Sequence, residues 1–298
     1  MLDPFAGPGR FFKGNLHTHS TRSDGARAPA DVCALYRDAG YDFLALTDHF
    51  LARYDFPITD TRPWRTSRFT TILGAETHTG ATELGEMWHL LAVGLPPDFA
   101  PTPPDQTGPD LAARCAAAGA FVAIAHPAWY GLTMADADTI AAAHAVEVYN
   151  HTSAVQSDRG DGWCMLDALL ARRRRLLACA TDDAHFRYAD WFGGWVMVKA
   201  PSLDPDALVA ALKAGRYYST QGPDIHALSV GRDEVVVECS PATTIALLGR
   251  GSAEEAAFGD ALRGARLPLA RMKPGGHARV VVIDAAAKRA WSNPLWLD

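Results

Sequence analysis

The sequence has little that points to a membrane, a disulfide scaffold or a nucleic-acid surface. Its five cysteines, Cys33, Cys115, Cys164, Cys179 and Cys239, are scattered, odd in number and form no Cys-x-x-Cys pair. Free thiols, mostly buried, are therefore the reading. No apolar run approaches the roughly 20 residues that cross a bilayer. Residues 1–14 lack an apolar stretch between a basic start and a small-residue cleavage site, so no signal peptide is expected and a cytoplasmic protein is the default. Basic residues are in deficit, 28 Lys and Arg against 34 Asp and Glu for a net charge of -6, which argues against nucleic-acid binding through bulk charge. The conspicuous basic run, Arg172-Arg173-Arg174-Arg175, closes a helical pattern where cations oppose the macrodipole, and reads as solvated surface.

What is present is a globular composition, 48% apolar and 21% charged over 298 residues, enough for one large domain and a small one. The first three-quarters alternate helix and strand. Residues 29–39 carry Val32, Leu35, Tyr36 and Ala39 on one helical face, with Pro29 in the first turn and Gly40 as a stop. A buried strand pattern follows at 42–47. The same order recurs with a helix at 111–118 before a strand at 121–125, a helix at 139–144 before 146–149, and a helix at 163–174 before 176–180. Such alternation predicts an α/β fold of parallel strands with helical crossovers. The segment 51–67, rich in Pro, Asp, Arg and aromatics, reads as a long loop over the site. Beyond Gly222-Pro223 short strands at 225–230, 235–239, 243–248 and 280–283 predict a small antiparallel β unit. The expected division is 10–222 and 223–298.

Histidine and carboxylate gather where these strands are expected to end. The clusters are His17-Thr18-His19 with Asp24, Asp48-His49, His126-Pro127 and Asp182-Asp183-Ala184-His185, with Glu76 and His151 between them. Imidazole and carboxylate are ligands that divalent zinc, manganese and iron accept, and the carboxyl ends of strands are where barrel and open-sheet enzymes keep their chemistry. His17 and His19, two apart on a strand, point to one face. Asp24, in Ser-Asp-Gly, is a turn residue or a ligand. Asp48 is a ligand or a carboxylate that orients an imidazole from behind. Glu76, placed at the end of its strand, is a bridging carboxylate or an exposed strand end. His78 faces away from Glu76 or lies at the rim, and His89 hydrogen-bonds within the core or behind the ligands. His144, His226 and His277 lack strand-end context and are assigned no role.

In order, His17-Thr18-His19, Ser23-Asp24-Gly25, Leu46-Thr47-Asp48-His49, Gly74-Ala75-Glu76, Ala125-His126-Pro127, Tyr149-Asn150-His151 and Asp183-Ala184-His185 resemble the motifs of the PHP (polymerase and histidinol phosphatase) superfamily. The resemblance implies a distorted (β/α)7 barrel with two or three divalent ions at the carboxyl ends of its strands. It places His17, His19, Glu76 and Asp183 on one ion, Glu76, His126 and His151 on a second, and Asp24, His49 and His185 on a third. Asp182 stays behind the ligands. Residues 215–223 and 290–294 resemble the smaller carbaryl-hydrolase-like branch, whose members need not be phosphatases.

Ions bridged by Glu76 imply hydrolysis by a shared hydroxide, with Asp183 taking the water's proton and His185 or His49 protonating the leaving group. Arg22, Arg53 and Arg187, close to motif residues, are candidate phosphate clamps. The leading expectation is a phosphoesterase for a small phosphorylated metabolite or nucleotide. The alternative is a carbamate, amide or carboxyl-ester hydrolase using the same ions, and a non-catalytic metal-binding regulatory module stands behind both. Other than as a nucleotide or short oligonucleotide substrate, no nucleic-acid partner is expected, and no membrane partner.

Overall fold

The computed structural model describes residues 3–297. The chain opens with β1 (Arg10–Asn15), α1 (Pro29–Asp38), β2 (Phe43–Leu46), β3 (His49–Phe50), β4 (Thr70–Ala81) and β5 (Met87–Val93). It continues through α2 (Gly108–Ala117), β6 (Phe121–Ile124), α3 (Met134–Thr139), β7 (Ala145–Asn150), α4 (His151–Ser157), α5 (Trp163–Ala171) and β8 (Leu177–Thr181). Then come β9 (Trp195–Ala200), α6 (Pro205–Lys213), β10 (Tyr217–Thr220), β11 (Ile225–Val230), β12 (Glu234–Leu248), β13 (Glu254–Pro268), β14 (His277–Ile283), β15 (Arg289–Ser292) and β16 (Leu295–Trp296).

Local signals explain several of these ends. Pro29 opens α1, whose Val32, Cys33 and Tyr36 are buried, and Gly40 takes φ +79° just after it, a backbone that glycine tolerates best. The side chains of Thr107, Asn150 and Asp204 accept N–H bonds at the starts of α2, α4 and α6, as N-caps do. The helix expected at 139–144 lies earlier, at α3, where Thr133 caps the chain by accepting from Asp136 N–H.

The strands run in the order β11-β12-β14-β15-β10-β9-β1-β2-β4-β5-β6-β7-β8. Two expectations are corrected here. The sheet is not all parallel: β5 is antiparallel to both β4 and β6, and β9 is antiparallel to β1. Nor does it close into a barrel. The end strand β8 meets the chain beyond β1 through one parallel bridge, Thr18 with Ala184, with Asp183 N–H donating to His17 O and His19 N–H to Ala184 O. Side chains satisfy part of the β8 edge. Ala180 N–H donates to Ser219 Oγ, that hydroxyl donates to Ala178 O, and Ala178 N–H donates to Asn293 Oδ1.

In the last quarter, 235–239 and 243–248 are one strand, β12, interrupted by register shifts between Glu238 and Thr244. The long β13 was not anticipated. Because β10 pairs with β9 on one edge and β15 on the other, these strands continue the same sheet. Segment 51–67 has no strand and two short 3-10 turns. Its Phe56 packs on Phe50 and its Trp64 joins the core beneath α1. Among the described residues no helix is long and apolar enough to cross a membrane.

Candidate metal centre

The backbone delivers the cluster from successive strands. His17 and His19 follow β1, His49 opens β3 after β2, His126 follows β6, and Asp183 and His185 follow β8. Glu76 lies inside β4 rather than at its end, fully buried. His126 (φ +23°) and Asp183 (φ +57°) both sit at positive φ, conformations that non-glycine residues hold only where their surroundings over-determine them.

Glu76 is the hub. Its Oε1 lies 2.7 Å from His89 Nδ1 and 2.9 Å from His126 Nε2. Its Oε2 lies 3.6 Å from both His17 Nε2 and His19 Nε2. Asp183 Oδ1 is 3.2 Å from His17 Nε2 and 2.9 Å from His19 Nε2. At the cleft mouth Asp24 Oδ1 stands 3.4 Å from His49 Nε2 and 3.4 Å from His185 Nε2. Of the five donor sets found among the described residues, three carry most of the expected ligands: His17, His19 and Glu76; Glu76, His89 and His126; and His19, Asp24, His49 and His185.

The charges are mutually supporting. Burial opposes ionisation of Glu76, yet His49, His89 and His78 hold its carboxyl well below the usual range. Burial likewise resists the charged His17, but Asp183 and Glu147 outweigh it and raise its pKa well above the ordinary value. His19 is pushed down to about 4 by burial, with His185 and His49 beside it. Burial is also overcome at His185, which Asp24 and Asp183 lift to about 9, and at Asp24 and Asp183, whose carboxyls the neighbouring histidines lower.

His151 is not brought to this cluster. It begins α4, its Nδ1 lies 2.9 Å from Tyr149 Oη, and its ring packs where a Cβ on Gly193 would stand. The second set instead takes His89, from β5. His78 also departs from expectation. Because β4 continues past Glu76, period two puts Glu76 and His78 on one face, and His78 Nε2 is 2.9 Å from His49 Nδ1.

Asp48 orients a loop rather than an imidazole directly: it accepts from Ser20 N–H and Oγ, Ser23 Oγ and Thr59 Oγ1. Asp182 accepts from Asn15, Tyr36 and the N–H groups of Phe192, Gly193 and Gly194, fixing the loop after the motif. Burial still pushes its pKa up to about 6.

Glu147 escaped the sequence reading. It is buried on β7, 2.9 Å from His17 Nδ1, and accepts from His126 N–H and Asn150 Nδ2 as well as from Thr181 Oγ1. The available signal was a carboxylate inside the apolar run Ala145-Val-Glu-Val-Tyr149.

Above the cluster opens a cleft of about 340 Å³, walled by Leu51, Arg53, Met87, Trp129, Arg187 and Tyr188. Arg187 donates to Asp24 O at 2.6 Å, which ties that guanidinium to the motif loop. Arg53 lies over the Tyr54 ring. Arg22 is exposed and does not line the cleft.

The donors fit divalent ions. His17 Nε2, Glu76 Oε2 and Asp24 Oδ1 are buried atoms with no hydrogen-bond partner among the described residues, and buried polar atoms of that kind are rarely left so. Their imidazole and carboxylate chemistry suits zinc, manganese or iron.

No family model and no curated protein matches the chain by sequence. Solved structures superpose on it in fold. An amidohydrolase from Chromobacterium violaceum, with bound sulfate and no metal, superposes with a TM-score of 0.44 at 16% identity, over 58% of this chain and 87% of that one. A two-domain protein from Bacteroides vulgatus, containing a predicted PHP-like metal-dependent phosphoesterase, superposes with a TM-score of 0.52 at 17% identity over 94% of both chains. Along nearly its whole length, then, the chain shares its fold with that two-domain protein.

Proposed function

We propose that the chain is a metal-dependent hydrolase and, within that class, a phosphoesterase acting on a small phosphorylated metabolite or nucleotide. The observation that carries this reading is Glu76, a buried carboxylate with imidazoles against both oxygens, on the floor of a cleft that Arg53 and Arg187 wall. The three donor sets would hold two or three divalent ions. Bound there, such ions polarise the scissile group and bring the pKa of water from about 15.7 toward 7.

The chain's own groups do the rest. Glu147 faces His17 Nδ1 and so aims Nε2 at Asp183 and Glu76. Asp183, whose carboxyl His17 and His19 lower against the effect of burial, suits the role of a ligand. Against the pull of burial, Asp24 and Asp183 raise the pKa of His185 to about 9. Its Nδ1–H is engaged by Asp183 O, which leaves Nε2 to protonate a leaving oxygen when no ion takes that nitrogen. Arg53 and Arg187 supply guanidinium forks suited to phosphate oxygens.

The test is hydrolysis of p-nitrophenyl phosphate and bis-p-nitrophenyl phosphate against p-nitrophenyl acetate and an aryl carbamate, with Glu76→Gln as control. Phosphoester turnover lost in the control is expected. Ester or carbamate turnover without phosphoester cleavage would reassign the site to carbon–oxygen or carbon–nitrogen bonds.

A further inference from the structure

We infer that His78 is itself a metal ligand, forming with Glu76 Oε2 and His49 Nδ1 a donor set that acts beside the three described above. The inference rests on the reading of the cluster as a metal centre. His49 Nδ1 lies 2.6 Å from Glu76 Oε2 and 2.9 Å from His78 Nε2, and His78 Nε2 lies 3.6 Å from the same Oε2. Donors around one four-coordinate ion at about 2.0–2.1 Å stand roughly 3.3 Å apart, a spacing that these three distances bracket.

Protons do not account for the arrangement. His49 Nδ1 has at most one hydrogen for two neighbours. The oxygen at 2.6 Å makes no hydrogen bond of acceptable geometry, and the far nitrogen of His78, Nδ1, is buried without a partner. Three lone-pair donors converging in a buried site repel one another unless a cation lies between them. His78 is 2% exposed.

The set also gives His49 two neighbourhoods. Its Nδ1 faces Glu76 and His78, and its Nε2 faces Asp24. The His49 ring would thus couple the Glu76 ions to the one at the cleft mouth.

The experiment compares zinc-loaded wild type with His78→Cys, which restores a ligating atom, and His78→Gln, whose amide can donate to His49 Nδ1 but ligates zinc poorly. Zinc per chain is measured after gel filtration, and the cobalt(II)-substituted forms are compared by visible absorption. A ligand predicts that His78→Gln loses one zinc per chain while His78→Cys keeps it and gains a thiolate-to-cobalt band. Full zinc content and an unchanged cobalt spectrum in His78→Gln would overturn the inference and leave His78 as a hydrogen-bond donor to His49. Should neither variant fold, anomalous diffraction from zinc-loaded wild-type crystals decides it, with an ion at about 2.0–2.1 Å from His78 Nε2 expected and its absence fatal. Wild type that binds no zinc at all would overturn the metal-centre reading as well.

Discussion

A charge inside an apolar strand needs a reason, and at Glu147 the reason is four donors. His17, His126, Asn150 and Thr181 all converge on its carboxylate, so removing it strands several buried groups at about 1–3 kcal/mol each. Glu147→Leu is therefore expected to lower Tm sharply, whereas Glu147→Gln keeps the shape and loses the charge behind His17. The glutamine variant should bind zinc about 10–100-fold more weakly with little loss of Tm, measured by competition against a chromophoric chelator. Unchanged affinity would mean that Glu147 serves the fold alone. The arginines separate in the same way. Arg187, tied to the Asp24 carbonyl at the cleft wall, is expected to raise KM for a phosphomonoester about tenfold or more when changed to alanine, since charged hydrogen bonds contribute about 1.5–3 kcal/mol. Arg22→Ala, outside the cleft, should leave KM where it is, and equal effects at both positions would refute the clamp assignment. The legible residues were those with local grammar. His17 and His19 share a face by period two, and His126 and Asp183 follow apolar strands. His78 obeys the same period with Glu76 but is obscured because β4 runs five residues beyond Glu76, where its apolar pattern has stopped. His89 and Glu147 sit inside apolar runs, where pattern alone does not distinguish a ligand or its support from a satisfied core residue.

At the level of elements, hydrophobic runs located most strands correctly and said nothing of their direction. The run at 89–93 reads identically whether it is parallel or antiparallel, and β5 is antiparallel because β4 returns through a turn at Thr82–Gly85 rather than through a helix. In β13 the run Glu254-Glu-Ala-Ala-Phe-Gly-Asp-Ala-Leu-Arg has no β-branched residue, so propensity gave no sign of it; pairing to β12 over most of its length makes it a strand. The open edge of β8 was invisible for a related reason, since it depends on two side chains far away in sequence. Ser219 and Asn293 accept the N–H groups of Ala180 and Ala178 and leave β8 without need of a pairing strand there. Ser219→Ala and Asn293→Ala are each expected to destabilise the fold by about 1–3 kcal/mol through an unsatisfied buried backbone group. Denaturant unfolding checks this, and a loss below about 0.5 kcal/mol would show that the edge finds another partner.

At the scale of the whole molecule, the cluster joins the beginning of the chain to its middle. His17 and His19 meet Asp183 and Glu76, and the only backbone links between the β1 and β8 ends among the described residues run through these same motifs. An ion held there ties together segments that no continuous ladder joins, and it relieves buried lone pairs at His17, Asp24 and Glu76. Ligation is thus expected to stabilise the native chain and not merely activate it. A ligand present at 100 times its dissociation constant adds about 2.7 kcal/mol. For a chain somewhat longer than 250 residues, each kcal/mol moves Tm by roughly 2 °C, so stripping the ions should lower Tm by about 5 °C or more for each site emptied. Dialysis against a chelator followed by calorimetry measures the drop, and stepwise return of zinc should restore it in proportion to occupancy. Glu76→Gln should show a reduced response because the carboxylate shared between donor sets is gone. A wild-type Tm indifferent to both chelator and zinc would mean that these histidines and carboxylates satisfy one another without an ion, and the hydrolase reading would fall with it.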